Sequence, residues 1–114
     1  MKKIFRNIFE SIRQKLQKRY TVKYVDDVPD VLSDMTIYII GEFSFQWLIS
    51  FKCPCGCERA IHLNLLKGSI PTWRYVVKNT LIDIYPSVRR IHGCKSHFTV
   101  RKGKIDWISL SRSY

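Results

Sequence analysis

The chain has 114 residues, is 46% hydrophobic and 13% aromatic, and carries a formal net charge of +11. That length allows one domain plus a terminal arm, and a body so small is often held by a structural metal. No apolar run of about twenty residues is available to span a bilayer, and charge interrupts the start from Met1 to Glu10 every few residues, unlike a secretory signal. The expectation is a cytoplasmic protein, in which reduced, clustered cysteines favour metal over disulfide.

In chain order, residues 3–19 predict a helix. Ile4, Phe5, Ile8, Phe9, Ile12 and Leu16 form one apolar stripe, and Lys2, Lys3, Arg6 and Arg13 are among the bases that fill the rest. Such a basic amphipathic helix, taken here as a segment of residues 1–20, suits an anionic membrane surface, a partner's groove or the domain's own sheet. From Thr21 the period shortens, and residues 21–114 predict a β domain. Thr21–Val25 is a short strand, and Asp26–Asp34 an acidic loop containing Pro29. Met35–Ile40 is a strand ending at Gly41. Phe43–Phe51 and Ile61–Leu65 predict the two arms of a hairpin with a cysteine cluster at its tip. Trp73–Val77 and Leu81–Tyr85 are further strands, the second ended by Pro86-Ser87. Phe98–Arg101 and Lys104–Ile108 predict a hairpin through Lys102-Gly103. The fold class is mainly β (α+β): a small zinc-stapled antiparallel β domain of zinc-ribbon or Rieske-like hairpins behind one N-terminal helix.

All four cysteines lie in two short segments, Cys53-Pro54-Cys55-Gly56-Cys57 and Cys94-Lys95-Ser96-His97, about forty residues apart. Zinc takes four ligands from Cys thiolate and His nitrogen, commonly two from each of two tight turns. Cys94-x-x-His97 lets two side chains of one turn face a single ion. With Cys53, Cys55 and Cys57 the chain offers five candidates for four positions. The reading pairs Cys53 and one neighbour with Cys94 and His97. The remaining thiol is left outside the site, or takes the fourth position in place of His97. Iron is the inorganic rival, as a mononuclear four-thiolate site; a Rieske centre lacks the histidine it needs in the first turn. A closed set of four ligands makes one Zn2+ per chain structural. No catalytic set is nominated: His62 alternates with Ile61 and Leu63 on the polar face of a strand, His92 falls in a loop, and the acids are scattered.

The order CPCGC at 53–57, Pro86-Ser87-Val88, Cys94-x-x-His97-Phe98 and Gly103-x-x-x-Trp107 resembles a family of small, largely uncharacterised bacterial proteins regarded as metal-binding. Their pattern runs CPCGC, PS[IV], CxxH[FY], GxxxW, and the likeness covers residues 35–108. Some members are encoded beside ubiquitin-like modifiers and their conjugating enzymes. The resemblance implies metal ligands among Cys53, Cys55, Cys57, Cys94 and His97, and an accessory role in such a pathway.

Three functions compete. The first is a zinc-stapled interaction module whose partner is a protein such as a ubiquitin-like modifier or its conjugating enzymes. Trp47, Trp73 or Trp107 would anchor it, and Lys2, Lys3, Arg6, Arg13, Arg89 and Arg90 would be candidate contacts. The second is a nucleic-acid-binding zinc protein, using the bases after residue 43, Arg89-Arg90 and Arg101-Lys102-x-Lys104 among them. The third is a zinc- or thiol-dependent enzyme. The reading places the interaction module first and the enzyme last.

Overall fold

A computed structural model describes residues 19–90 and 93–108. It holds eight strands: β1 (Thr21–Val25), β2 (Thr36–Glu42), β3 (Phe45–Lys52), β4 (Ala60–Asn64), β5 (Arg74–Lys78), β6 (Leu81–Arg89), β7 (His97–Arg101) and β8 (Lys104–Trp107). They form two four-stranded sheets in sequential order, β1-β2-β3-β4 and β5-β6-β7-β8. The helix expected over 3–19, with Lys2, Lys3, Arg6 and Arg13, lies outside the described residues except for Arg19.

Strand alternation builds the core between the sheets. Ile37, Ile39, Ile49, Phe51, Ile61 and Leu63 point inward from the first sheet, and Ile82, Ile84, Val88, Phe98 and Val100 from the second. Phe51 sits at their centre, edge-on to Tyr20 at 6.2 Å and to Phe98 at 6.3 Å between ring centroids. Each such side chain contributes about 1.5–3 kcal/mol when fully buried. Tyr20, grouped with the arm by sequence, therefore belongs to the core. Its backbone N–H donates to Gly103 O at 2.8 Å, and Gly103 N–H donates to Ile82 O at 2.8 Å. Gly103 has φ +74, and a Cβ there would meet Arg19 Cβ at 3.3 Å, so the β7–β8 turn is bare where the chain enters the body.

Three details depart from the expected strands. β1 pairs with β2 in parallel, Thr21 opposite Thr36 through Val25 opposite Ile40, where hairpins alone were expected. The loop at 26–35 is long enough to carry the chain back to the start of the sheet. It is held there because Leu32 packs on Tyr38 and Ile40 on the outer face, and Tyr38 Oη accepts from Ser33 N–H at 3.1 Å. β3 begins at Phe45, since Phe43-Ser44 form the turn. β6 does not stop at Pro86: it shifts register between Ile84 and Val88 and continues to Arg89. Proline lacks an N–H to donate, which a bulge tolerates, and β5 has already ended opposite Tyr85.

Candidate metal centre and serine–histidine pair

The β3–β4 hairpin carries the first cysteine segment at its tip. Cys53 closes the hairpin, its N–H donating to Arg59 O at 2.8 Å, and Gly56 N–H turns back to Cys53 O at 3.3 Å. The second segment is the turn between β6 and β7, tied by Arg90 N–H to Ser96 O at 2.7 Å. These turns bring together Cys53, Cys55, Cys57 and Cys94, whose sulfurs all lie within 4.8 Å of one another. Cys53 Sγ is 3.4 Å from Cys55 Sγ and 3.5 Å from Cys94 Sγ. Tetrahedral zinc with bonds of about 2.3 Å holds its sulfurs about 3.8 Å apart, so the four thiols fit a bound ion with small adjustments. Burial pushes the Cys53 thiol up to about 12, whereas the Ser96 hydroxyl, 3.1 Å from Cys94 Sγ, and the Ser96 backbone pull Cys94 down to about 6. Cys55 is also lowered, first by its contact with Cys53. Four sulfurs so arranged can hold a metal ion.

The fifth candidate lies elsewhere. His97 opens β7 and turns its Nε2 toward Ser87 Oγ, 3.0 Å away. The ladder explains the meeting. Val88 and Phe98 are directly paired and both buried, so Ser87 and His97, one residue before each, share the opposite face. Both are half-buried. The Trp73 indole N–H donates to Ser87 O at 3.3 Å and fixes the backbone of the serine. The His97 Nδ1 atom is buried and has no partner among the described residues.

A second serine–histidine pair joins Ser50 Oγ to His62 Nδ1 at 2.7 Å across β3 and β4. Ser50 is 0% exposed, so no substrate carbonyl can reach its hydroxyl, and the pair satisfies a buried polar group. Of the other nominated contacts, Arg89 is exposed and Arg90 half-buried, and both line a groove between β4 and the end of β6. Trp47 packs in the outer cluster, Trp73 against the core, and Trp107 edge-on to Phe98 with 54% exposure. Arg101 sits over the Tyr85 ring at 4.2 Å and donates to Ile84 O.

Sequence reasoning missed the pairing of Ser87 with His97. It took Pro86-Ser87 as a strand end and His97 as a ligand of the CxxH turn. The usable signal was alternation: placing Val88 and Phe98 in the core sets Ser87 and His97 on one exposed face.

Residues 24–108 match the family described as "BubE: Bacterial ubiquitination-like system serine protease (BubE)". No curated protein matches, and neither does any solved structure.

Proposed function

The chain belongs to the BubE family of a bacterial ubiquitination-like system, and on that premise we propose that it is a serine hydrolase with Ser87 as nucleophile and His97 as general base. The observation that carries this reading is the 3.0 Å approach of Ser87 Oγ to His97 Nε2 on an accessible face. The family's description as a serine protease supplies the reaction class, cleavage of a peptide or amide bond in a protein substrate of that system.

In this mechanism His97 Nε2 takes the proton of Ser87 as Oγ attacks the scissile carbonyl carbon. The tetrahedral oxyanion collapses, the carbon–nitrogen bond breaks, and His97 returns the proton to the leaving amine. Water, deprotonated by the same nitrogen, then releases the acyl group from Ser87. The Ser87 backbone N–H, on the side of β6 that β5 no longer covers, is a donor for the oxyanion. His97 must carry its ring proton on Nδ1 to accept from the serine, and that nitrogen has no partner among the described residues.

Zinc, one ion per chain on Cys53, Cys55, Cys57 and Cys94, has a structural role in this reading. Cys53, Cys55, Cys57 and Cys94 would hold it through four thiolates, and a bound ion would clamp the turn from which His97 departs to the end of β3. The place of action is the cytoplasm, where the thiols stay reduced. The protein partner is the substrate, a ubiquitin-like modifier or one of its conjugating enzymes. An interaction role beyond catalysis is supported by the exposed Phe43, Phe45 and Tyr24 around the β2–β3 turn. The nucleic-acid reading loses Arg101, which is committed to Tyr85 and to backbone carbonyls.

A fluorophosphonate probe tests the proposal. It should label one residue, Ser87, and labelling should vanish in Ser87→Ala and fall at least a hundredfold in His97→Ala. Ser50→Ala should label like the parent protein. Labelling that persists in Ser87→Ala, or no labelling of the parent at all, would sink the assignment.

A further inference from the structure

Strand edges decide where an extended chain can dock, and the ladder phases identify two open edges beside Ser87. In β6, Arg90 N–H bonds Ser96 O, with Val88 opposite Phe98 and Arg89 opposite His97. Residues 88 and 90 therefore turn their backbone groups to β7, and residues 87 and 89 turn theirs the other way, where Ser87 O accepts from the Trp73 indole. That other side was covered by β5 only as far as Arg74 opposite Tyr85. In β4, the bonds Cys53 N–H to Arg59 O and Leu65 N–H to Trp47 O fix the same alternation. Residues 59, 61, 63 and 65 face β3, and Ala60 and His62 present N–H and C=O outward on an edge strand. The edges of β4 and β6 border one groove of about 290 Å³, with Trp73 among its lining residues.

The charge of this groove is one-sided. Arg89 and Arg90 line it, and Arg90 has a buried guanidinium nitrogen with no partner among the described residues. His62 adds a further donor, and none of the residues lining the groove is acidic. An unpaired buried guanidinium N–H beside an open groove is a position that an incoming carboxylate would satisfy.

We propose that this groove, lined by the residues that follow Ser87, is the substrate subsite, taking an acidic polypeptide segment as an added strand against Arg89, with its side-chain carboxylates on Arg89 and Arg90. The inference rests on the serine hydrolase reading, and it states what that site selects. Pairing with Arg89 draws the substrate backbone past Ser87, whose N–H stays free for the oxyanion, so strand addition aligns the scissile carbonyl with Ser87 Oγ. The opposing edge at Ala60 and His62 bounds the groove on its far side. Specificity then resides in charge near the cleaved bond and in an extended backbone.

The test uses the metal-loaded full chain and a library of defined peptides, with cleavage sites read by mass spectrometry and fluorophosphonate labelling run in parallel. Asp and Glu should be enriched at least threefold within four residues of cleaved bonds. Arg89→Glu should invert that preference toward Lys and Arg. In a cleaved peptide, N-methylation should stop cleavage at alternate residues, as strand pairing demands. Cleavage indifferent to charge, or N-methyl sensitivity without alternation, overturns the subsite. Labelling of Ser87 without cleavage of any library peptide overturns it too, yet leaves the nucleophile standing. Absence of labelling removes both readings.

Discussion

Replacing Cys53 with serine is the sharpest probe of how this fold is held. Cys53 is buried at 4% exposure and its sulfur touches those of Cys55 and Cys94. Cys53 and Cys94 are 41 residues apart, so a metal joining them closes a long loop between the two sheets. Treated as a cross-link, that closure removes about 4 kcal/mol of chain entropy from the unfolded state. A domain of this size holds about 5–15 kcal/mol in total, so the loss takes away a large part of it. At a urea slope of about 1–3 kcal/mol/M, the midpoint should drop by about 1.3–4 M. The assay is urea unfolding followed by tryptophan fluorescence, with and without a chelator, alongside metal content by elemental mass spectrometry. The parent protein should bind one zinc and lose the predicted stability on chelation. Cys53→Ser should bind none and be indifferent to chelator, and His97→Ala should keep its zinc. A parent protein without metal, or one whose midpoint a chelator leaves unmoved, refutes the reasoning.

Other outcomes follow from local geometry. In metal-free protein Cys94 is lowered to about 6 and Cys53 raised to about 12 from an ordinary value of 9. The lowered thiol stabilises the fold above pH 9 and loses that contribution as pH falls through about 6. The raised thiol stabilises it below pH 9 and loses that contribution as pH rises through about 12. Stability of the stripped protein should therefore peak near pH 9 in thermal melts, and a flat profile between pH 6 and 12 would contradict the assignment. Gly41→Ala places a Cβ against the backbone of Phe45 and Gln46 at the β2–β3 bulge, and should cost about 1–3 kcal/mol in urea unfolding. Phe98→Ala empties the centre of the core, where Phe98 is 0% exposed, and should cost about 3–5 kcal/mol. Ser50→Ala should cost about 1 kcal/mol for the lost contact with His62 while leaving fluorophosphonate labelling intact.

Much of the architecture was legible from alternation alone. The strands around Ile37–Ile39, Ile61–Leu63 and Ile82–Ile84 announce themselves by inward branched aliphatic residues at a period of two. The cysteine spacing pointed to a metal without the fold. What stayed hidden depended on contacts distant in sequence. Parallel pairing of β1 with β2 rests on Leu32 reaching Tyr38 and Ile40, and nothing in Asp26–Asp34 taken alone requires that. The serine–histidine pair was obscured by proline: Pro86 reads as a strand terminator, whereas the bulge lets the chain resume and present Ser87. His97 was drawn to the metal because CxxH spacing fits a ligand turn, and only the register of β7 against β6 shows its ring on the other side.

The position of the thiol cluster also sets an order of assembly. Cys53 lies at the end of the first sheet's β3, whereas Ser87, Cys94 and His97 all belong to the second sheet or the turn within it. A chain emerging from the ribosome completes β1–β4 long before Cys94 is available to join Cys53, and this closure is among the slow, non-local steps of folding. Ser87 emerges before the histidine that would activate it, and His97 emerges three residues after the last thiol. Ser87 and His97 meet when β6 pairs with β7, so their approach depends on the second sheet alone, whereas the thiol cluster forms only when both halves have folded.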